Sequence, residues 1–134
     1  MIRTAEAAGV SELFILSGDC DPYDPATVQA SMGSLFSLRL VRCSVCEFRD
    51  WAHSNGIALV ASSPAGLMDY KALHYRFPAT LVIGSEKRGL SDQMLELADF
   101  VVRIPMRGSC DSLNAAVATG VLLFEIAGQR QVSF

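Results

Sequence analysis

Charge is scarce in this chain: 19% of its 134 residues are Asp, Glu, Lys or Arg, against 51% hydrophobic. That balance excludes intrinsic disorder, and it is apolar enough to predict that some surface is covered by a partner chain. A positive field is missing too. The formal charge is −3, so a polyanion-binding site must rest on a local patch. The longest apolar run, Val121-Leu122-Leu123-Phe124, is cut by Glu125 and is far too short to cross a bilayer; no secretory segment is legible. Cys43 and Cys46 have the C-x-x-C spacing, but Cys20 and Cys110 do not supply the second pair of a zinc ribbon. His53 and His74 are not spaced to complete a site. No metal is expected, and the thiols read as reduced and structural in a cytoplasmic protein. Repeats, low-complexity stretches and linkers are lacking as well, so the length predicts one domain, 1–134, with a single core.

What the chain does have is alternation. Helix formers over 3–8 stop at Gly9, a C-cap signal, and an apolar strand over 13–16 ends at Ser17-Gly18. Asp24-Pro25 opens a helix over 26–32. A weak strand over 40–43 and a helix over 46–54, halted by Asn55-Gly56, follow. Strands over 57–61, 79–83 and 100–104 alternate with a helix over 92–98, capped by Ser91, and a long one over 113–127. Apolar strands without polar alternation, separated by helices, predict an α/β fold whose parallel sheet is flanked by helices on both faces. The chain opens on a helix, where such domains usually enter through a strand.

Ligands of open parallel sheets sit beyond the carboxyl ends of the strands. Three loops leave such ends, at 62–66, 84–90 and 105–113, all rich in Gly, Ser and Pro. For the first of them, turn chemistry alone accounts for that composition as well as function does. Gly84-Ser85-Glu86-Lys87-Arg88-Gly89 fits neither a P-loop nor a dinucleotide fingerprint. Glu86 is equally readable as a site residue or as a surface partner of Lys87 or Arg88. Ser112 reads as an N-cap of the last helix, which leaves Asn114, a poor helix former, unexplained. Lys87, Arg88, Arg103 and Arg107 gather positive charge near these loops and point to a bound anion. Residue physics alone reaches a ligand-binding α/β domain with a polar, locally basic site at its strand ends.

The last helix carries one apolar face of Leu113, Val117, Gly120, Val121, Phe124 and Gly128, yet Leu122, Leu123 and Ile126 lie off it. A helix apolar nearly all round is buried on more than one side, and a second copy across a two-fold axis is the expected cover.

Three segments resemble the motifs of the SpoU-type (TrmH) RNA 2′-O-ribose methyltransferases of the SPOUT class. They are Ile2-Arg3-Thr4-Ala5-Glu6-Ala7-Ala8-Gly9; Leu81 through Gly84-Ser85-Glu86-Lys87-Arg88-Gly89-Leu90 to Ser91; and Ile104-Pro105-Met106 through Ser112-Leu113-Asn114 to Ala118. The first is weak alone; the three in order are specific, and together they cover essentially the whole chain. The resemblance implies a C-terminal trefoil knot, a rare exception to the usual connection rules. It implies S-adenosylmethionine bound in the knot, contacted largely by main chain near Ser62, Gly84, Ile104, Met106 and Leu113. It also implies a homodimer through the C-terminal helix that completes the active site, and tRNA or rRNA as substrate. Arg3, Glu86, Ser112 and Asn114 correspond to the catalytic constellation. A guanidinium holds its proton far above neutral pH, so Arg3 is expected to bind an RNA phosphate and stabilise the developing alkoxide rather than accept a proton. Relatives carry a strand and an Asn-x-Gly segment before this arginine, whereas here the chain starts at Met1-Ile2-Arg3, so the first strand is expected to be missing. The alternative is a catalytically weak SPOUT-fold dimer that binds cofactor or RNA without turnover.

Overall fold

The computed structural model describes residues 1–16 and 20–132, apart from the side chain of Val132; the turn expected at Ser17-Gly18 lies outside them. The α/β class holds, with every strand pair parallel, but the strands fall into two sheets. In the smaller, β1 (Glu12–Ile15) pairs with β2 (Arg39–Arg42), Leu13 lying opposite Leu40. The larger contains β3 (Ala58–Ser62), β4 (Met68–Asp69), β5 (Ala79–Val82) and β6 (Phe100–Arg103), in the order β4-β6-β3-β5. Among the described residues no strand bridges the two.

Strand β3 is an inner strand of the larger sheet, and its side chains alternate between two cores as strand geometry requires. Leu59 packs with Phe48, Ala52, Val82 and Met94, from α3 (Val45–Ser54), β5 and α4 (Asp92–Leu97). Val60 faces the other way, onto Leu73, Tyr75, Val102 and Leu122. The larger sheet is thus covered on both faces, which is why its strands read as unbroken apolar runs.

Local chemistry sets most helix starts. Asp24 accepts from the amides of Ala26 and Thr27 at the head of α2 (Pro25–Ser31), with Pro25 in the first turn. Ser44 and Glu47 form a reciprocal capping box on α3. Ser91 caps α4 through the Met94 amide.

Two helices matter for function. α1 (Ile2–Ala7) opens the chain and lies across α5 (Ala115–Val132), where a Cβ on Gly120 would stand 3.2 Å from Thr4 Cγ2. α5 starts two residues later than its apolar pattern predicts and runs past Ala127, because Gln129 ties it down. That side chain donates to the Leu73 carbonyl and accepts from the Tyr75 amide. Leu122 is fully buried and Ile126 packs beside it, whereas Val117 and Phe124, on the face predicted from the sequence, are 52% and 55% exposed. Leu122 and Ile126, off the predicted face, therefore serve the chain's own core, while Val117 and Phe124 on that face point outward.

Candidate active site

Parallel pairing brings the carboxyl ends of β3, β5 and β6 to one edge of the larger sheet. Their loops and the entrance to α5 enclose a cavity of about 740 Å³. That is the size range of small-molecule sites, which sit at this edge of parallel sheets.

Each wall has a local cause. After β3, the Ser63 amide donates to the Val102 carbonyl, and residues 63–67 cross over β6 to reach β4. The crossing is so close that a Cβ on Gly66 would stand 2.8 Å from the Val102 carbonyl carbon. After β5, the chain doubles back: the Gly89 amide donates to the Ser85 carbonyl at 2.8 Å, and the Arg88 amide to Ser85 Oγ at 3.1 Å. A Cβ on Gly84 would overlap the Gly89 carbonyl carbon and the Leu90 nitrogen, so only glycine fits there.

The third wall corrects the sequence reading of the last helix. Asn114, not Ser112, is the N-cap: its Oδ1 accepts from the amides of Ala116 at 2.9 Å and Val117 at 3.4 Å. Its Nδ2 donates to Glu86 Oε1 at 2.7 Å, and the same oxygen accepts the Ala115 amide at 3.3 Å. Glu86 therefore binds the head of α5 instead of pairing with Lys87 or Arg88. A carboxylate at a helix N-terminus also gains from the macrodipole. One amide–carboxylate hydrogen bond couples the loop after β5 to the helix that closes the site.

Of the residues singled out in the sequence, Ser62, Gly84, Glu86, Ile104, Met106, Ser112, Leu113 and Asn114 all line this cavity. Arg3 does not. It is exposed on α1, and its Nη1 lies 3.2 Å from Met32 Sδ. Sequence reasoning missed Asp111, a carboxylate in the lining; its place beside Ser112 in the same strand-end loop was the available signal. Arg103 lines the cavity too. Among the described residues the ion pairs are Arg39–Glu12 and Arg49–Asp50, so Lys87, Arg88, Arg103 and Arg107 enter none.

The C-x-x-C pair stands elsewhere. Burial, and then the neighbouring Glu47 carboxylate, push the Cys43 thiol up from its ordinary value, the opposite of an activated thiolate. No group of three or more potential metal ligands gathers among the described residues, and no helix there is long and apolar enough to cross a membrane.

Comparison with known proteins meets this geometry from another direction. The 23S rRNA (uridine(2479)-2'-O)-methyltransferase of Streptomyces viridochromogenes is 41% identical over 97% of this chain and 47% of its own length. A crystal structure of the SpoU methyltransferase AviRb from that organism, in complex with the cofactor AdoMet, superposes with a TM-score of 0.92. It is 40% identical, covering 98% of this chain and 55% of AviRb. An AdoMet-bound rRNA methyltransferase from Sinorhizobium meliloti gives a TM-score of 0.89 at 37% identity, over 99% of this chain and 50% of that one. The chain spans about half the length of the curated relatives it matches. The model of the SpoU rRNA Methylase family matches residues 1–124, nearly the whole of the sequence, and the chain belongs to that family.

Proposed function

We propose that residues 1–134 are the catalytic unit of an S-adenosylmethionine-dependent 2′-O-ribose methyltransferase acting on rRNA or tRNA, with rRNA favoured by the relatives above. The observation that carries this is the convergence of three strand-end loops and the head of α5 on one cavity. The cavity suits the cofactor: glycine, serine and proline are frequent in its lining and keep side chains small, and Gly84 has no room for a side chain. Ser62, Gly84, Ile104, Met106 and Leu113 would hold it there. When bound, S-adenosylmethionine supplies an electrophilic methyl group on a sulfonium sulfur.

The side chains are left two tasks. They must hold a ribose 2′-oxygen in line with the methyl carbon, and they must stabilise that oxygen as its proton passes to solvent. Ser112 and Asn114 orient the ribose at the cavity wall, and Glu86 fixes Asn114 through the 2.7 Å hydrogen bond. Arg3 binds the adjacent phosphate and stabilises the developing alkoxide.

Because Arg3 lies outside the cavity of its own chain, it acts in a homodimer, reaching the cavity of the partner protomer. The exposed apolar side chains Val117 and Phe124 on α5, against which α1 packs, support an interface on this face. The trefoil knot is part of the same proposal. β6 lies between β3 and β4, and residues 63–67 cross over it against the Val102 carbonyl, which supports threading of the segment after β6 beneath that loop. The four free cysteines among the described residues suit work in the reducing cytoplasm.

Transfer of labelled methyl from S-adenosylmethionine to rRNA or tRNA tests the reading, with nuclease digestion to locate the label on the ribose. Label on a 2′-oxygen is the expected result. Label on bases, or cofactor bound without transfer to any RNA, would remove the assignment.

A further inference from the structure

The loop after β5 has three residues at its tip, 86–88, between the Ser85 and Gly89 that close it. Glu86 turns inward to α5, while Lys87 and Arg88 remain exposed. Arg107 is exposed just beyond Met106 on the next cavity loop, and Arg103 lines the cavity. None of the four enters an ion pair among the described residues. The carboxylates lining the cavity are Glu86, whose Oε1 accepts from Asn114 and the Ala115 amide, and Asp111, two negative charges against these four positive ones. An acidic chain of net charge −3 thus keeps a local excess of unpaired cations at one mouth. Lys87, Arg88 and Arg107 stand exposed on two separate loops, with Arg103 at the end of β6, a spread that suits an extended, repeating anion better than one small buried ion.

We propose that Lys87, Arg88 and Arg107 are positioning residues that bind RNA backbone phosphates beside the ribose entering the cavity. This rests on the methyltransferase reading for the identity of the polyanion. It adds the residues that dock it. These side chains meet phosphates, so they fix register and affinity without reading sequence.

The test uses the full chain and a short single-stranded RNA of mixed sequence, with binding measured across a salt series. Lys87→Gln combined with Arg88→Gln should reduce the magnitude of the log K against log salt slope by about 1.4, roughly 0.7 for each phosphate left without its cation on a single strand. Adding Arg107→Gln should lower it further and bring the loss of affinity to about tenfold or more at moderate salt. Arg49→Gln with Arg130→Gln removes the same charge elsewhere and should leave the slope alone. Heat of S-adenosylmethionine binding, measured in parallel, should be unchanged in every variant. Equal slopes for the two double variants would overturn the proposal while leaving the cofactor site standing. Wild-type protein that binds cofactor but no RNA would overturn it as well. A slope that falls as expected in a protein showing no cofactor binding would uphold the phosphate sites and defeat the methyltransferase reading instead.

Discussion

Glu86 and Arg3 are both charged, both exposed, and both sit in motifs that resemble those of one family, yet the molecule treats them differently. Glu86 is fixed by Asn114 and the Ala115 amide on a loop closed by its own hydrogen bonds. Arg3 rests on the sulfur of Met32, itself 72% exposed, at a surface that also shows Phe36 at 78%. The region beyond the larger sheet forms its cavity from one chain. The amino-terminal region has a separate two-stranded sheet and an uncovered apolar surface. On the proposed reading, cofactor enclosure and catalytic completion are separate problems: a main-chain cradle needs only local closure, whereas Arg3 depends on a partner covering α1 and α5.

Breaking the first region should have the largest effect. Gly84→Ala forces a Cβ into the Gly89 and Leu90 backbone, so the loop must shift. Displacements of about 1 Å cost on the order of a hundredfold in rate, and here cofactor binding should fall with activity. Calorimetry and methyl transfer on the same sample check both.

Arg3→Ala should divide the regions cleanly. Transfer should fall by about a hundredfold, with cofactor affinity intact and stability within about 0.5 kcal/mol. Mixing Arg3→Ala and Asn114→Ala protomers after dissociation sharpens the point. If Arg3 acts across the interface, one site in each mixed dimer is whole, and an equal mixture regains about a quarter of wild-type activity by random pairing. No recovery would put Arg3 in its own protomer's site.

Asn114→Ala removes a helix cap and the anchor of Glu86 together. Stability should drop by about 1 kcal/mol in denaturant unfolding, and transfer by about a hundredfold. The smallest effect lies in the core shared with α5. Tyr75 donates to the Tyr70 carbonyl at 2.7 Å, and burial, with nearby Glu125 next, pushes its hydroxyl up to about 12. The unfolded chain releases that proton near pH 10, so the native state holds more protons between there and about 12. Stability from this group is therefore full below pH 10 and declines as pH rises through that window. Tyr75→Phe should remove this part of the slope in pH-dependent unfolding.

The sequence made the strand ends legible because continuous apolar runs followed by Gly, Ser and Pro are local signals. It did not reveal β4, two residues long and held by pairing with β6, a contact between segments far apart in the chain. Nor did it reveal the split into two sheets, which depends on which strands meet. The head of α5 was misread by two residues because apolar periodicity continues through Leu113 while capping begins at Asn114. That shift is what turns an unexplained asparagine into the cap that ties the helix to Glu86. The position of Arg3 was illegible for a similar reason: nothing in a motif says where in the fold its side chain will lie.

The most direct test is titration of S-adenosylmethionine into the folded wild-type chain and into Arg3→Ala. One saturable site per chain, with the same affinity in both proteins, is the predicted result. Native protein that gives no binding heat at any accessible cofactor concentration, or binding that disappears with Arg3, would contradict a cofactor pocket built by the strand-end loops alone.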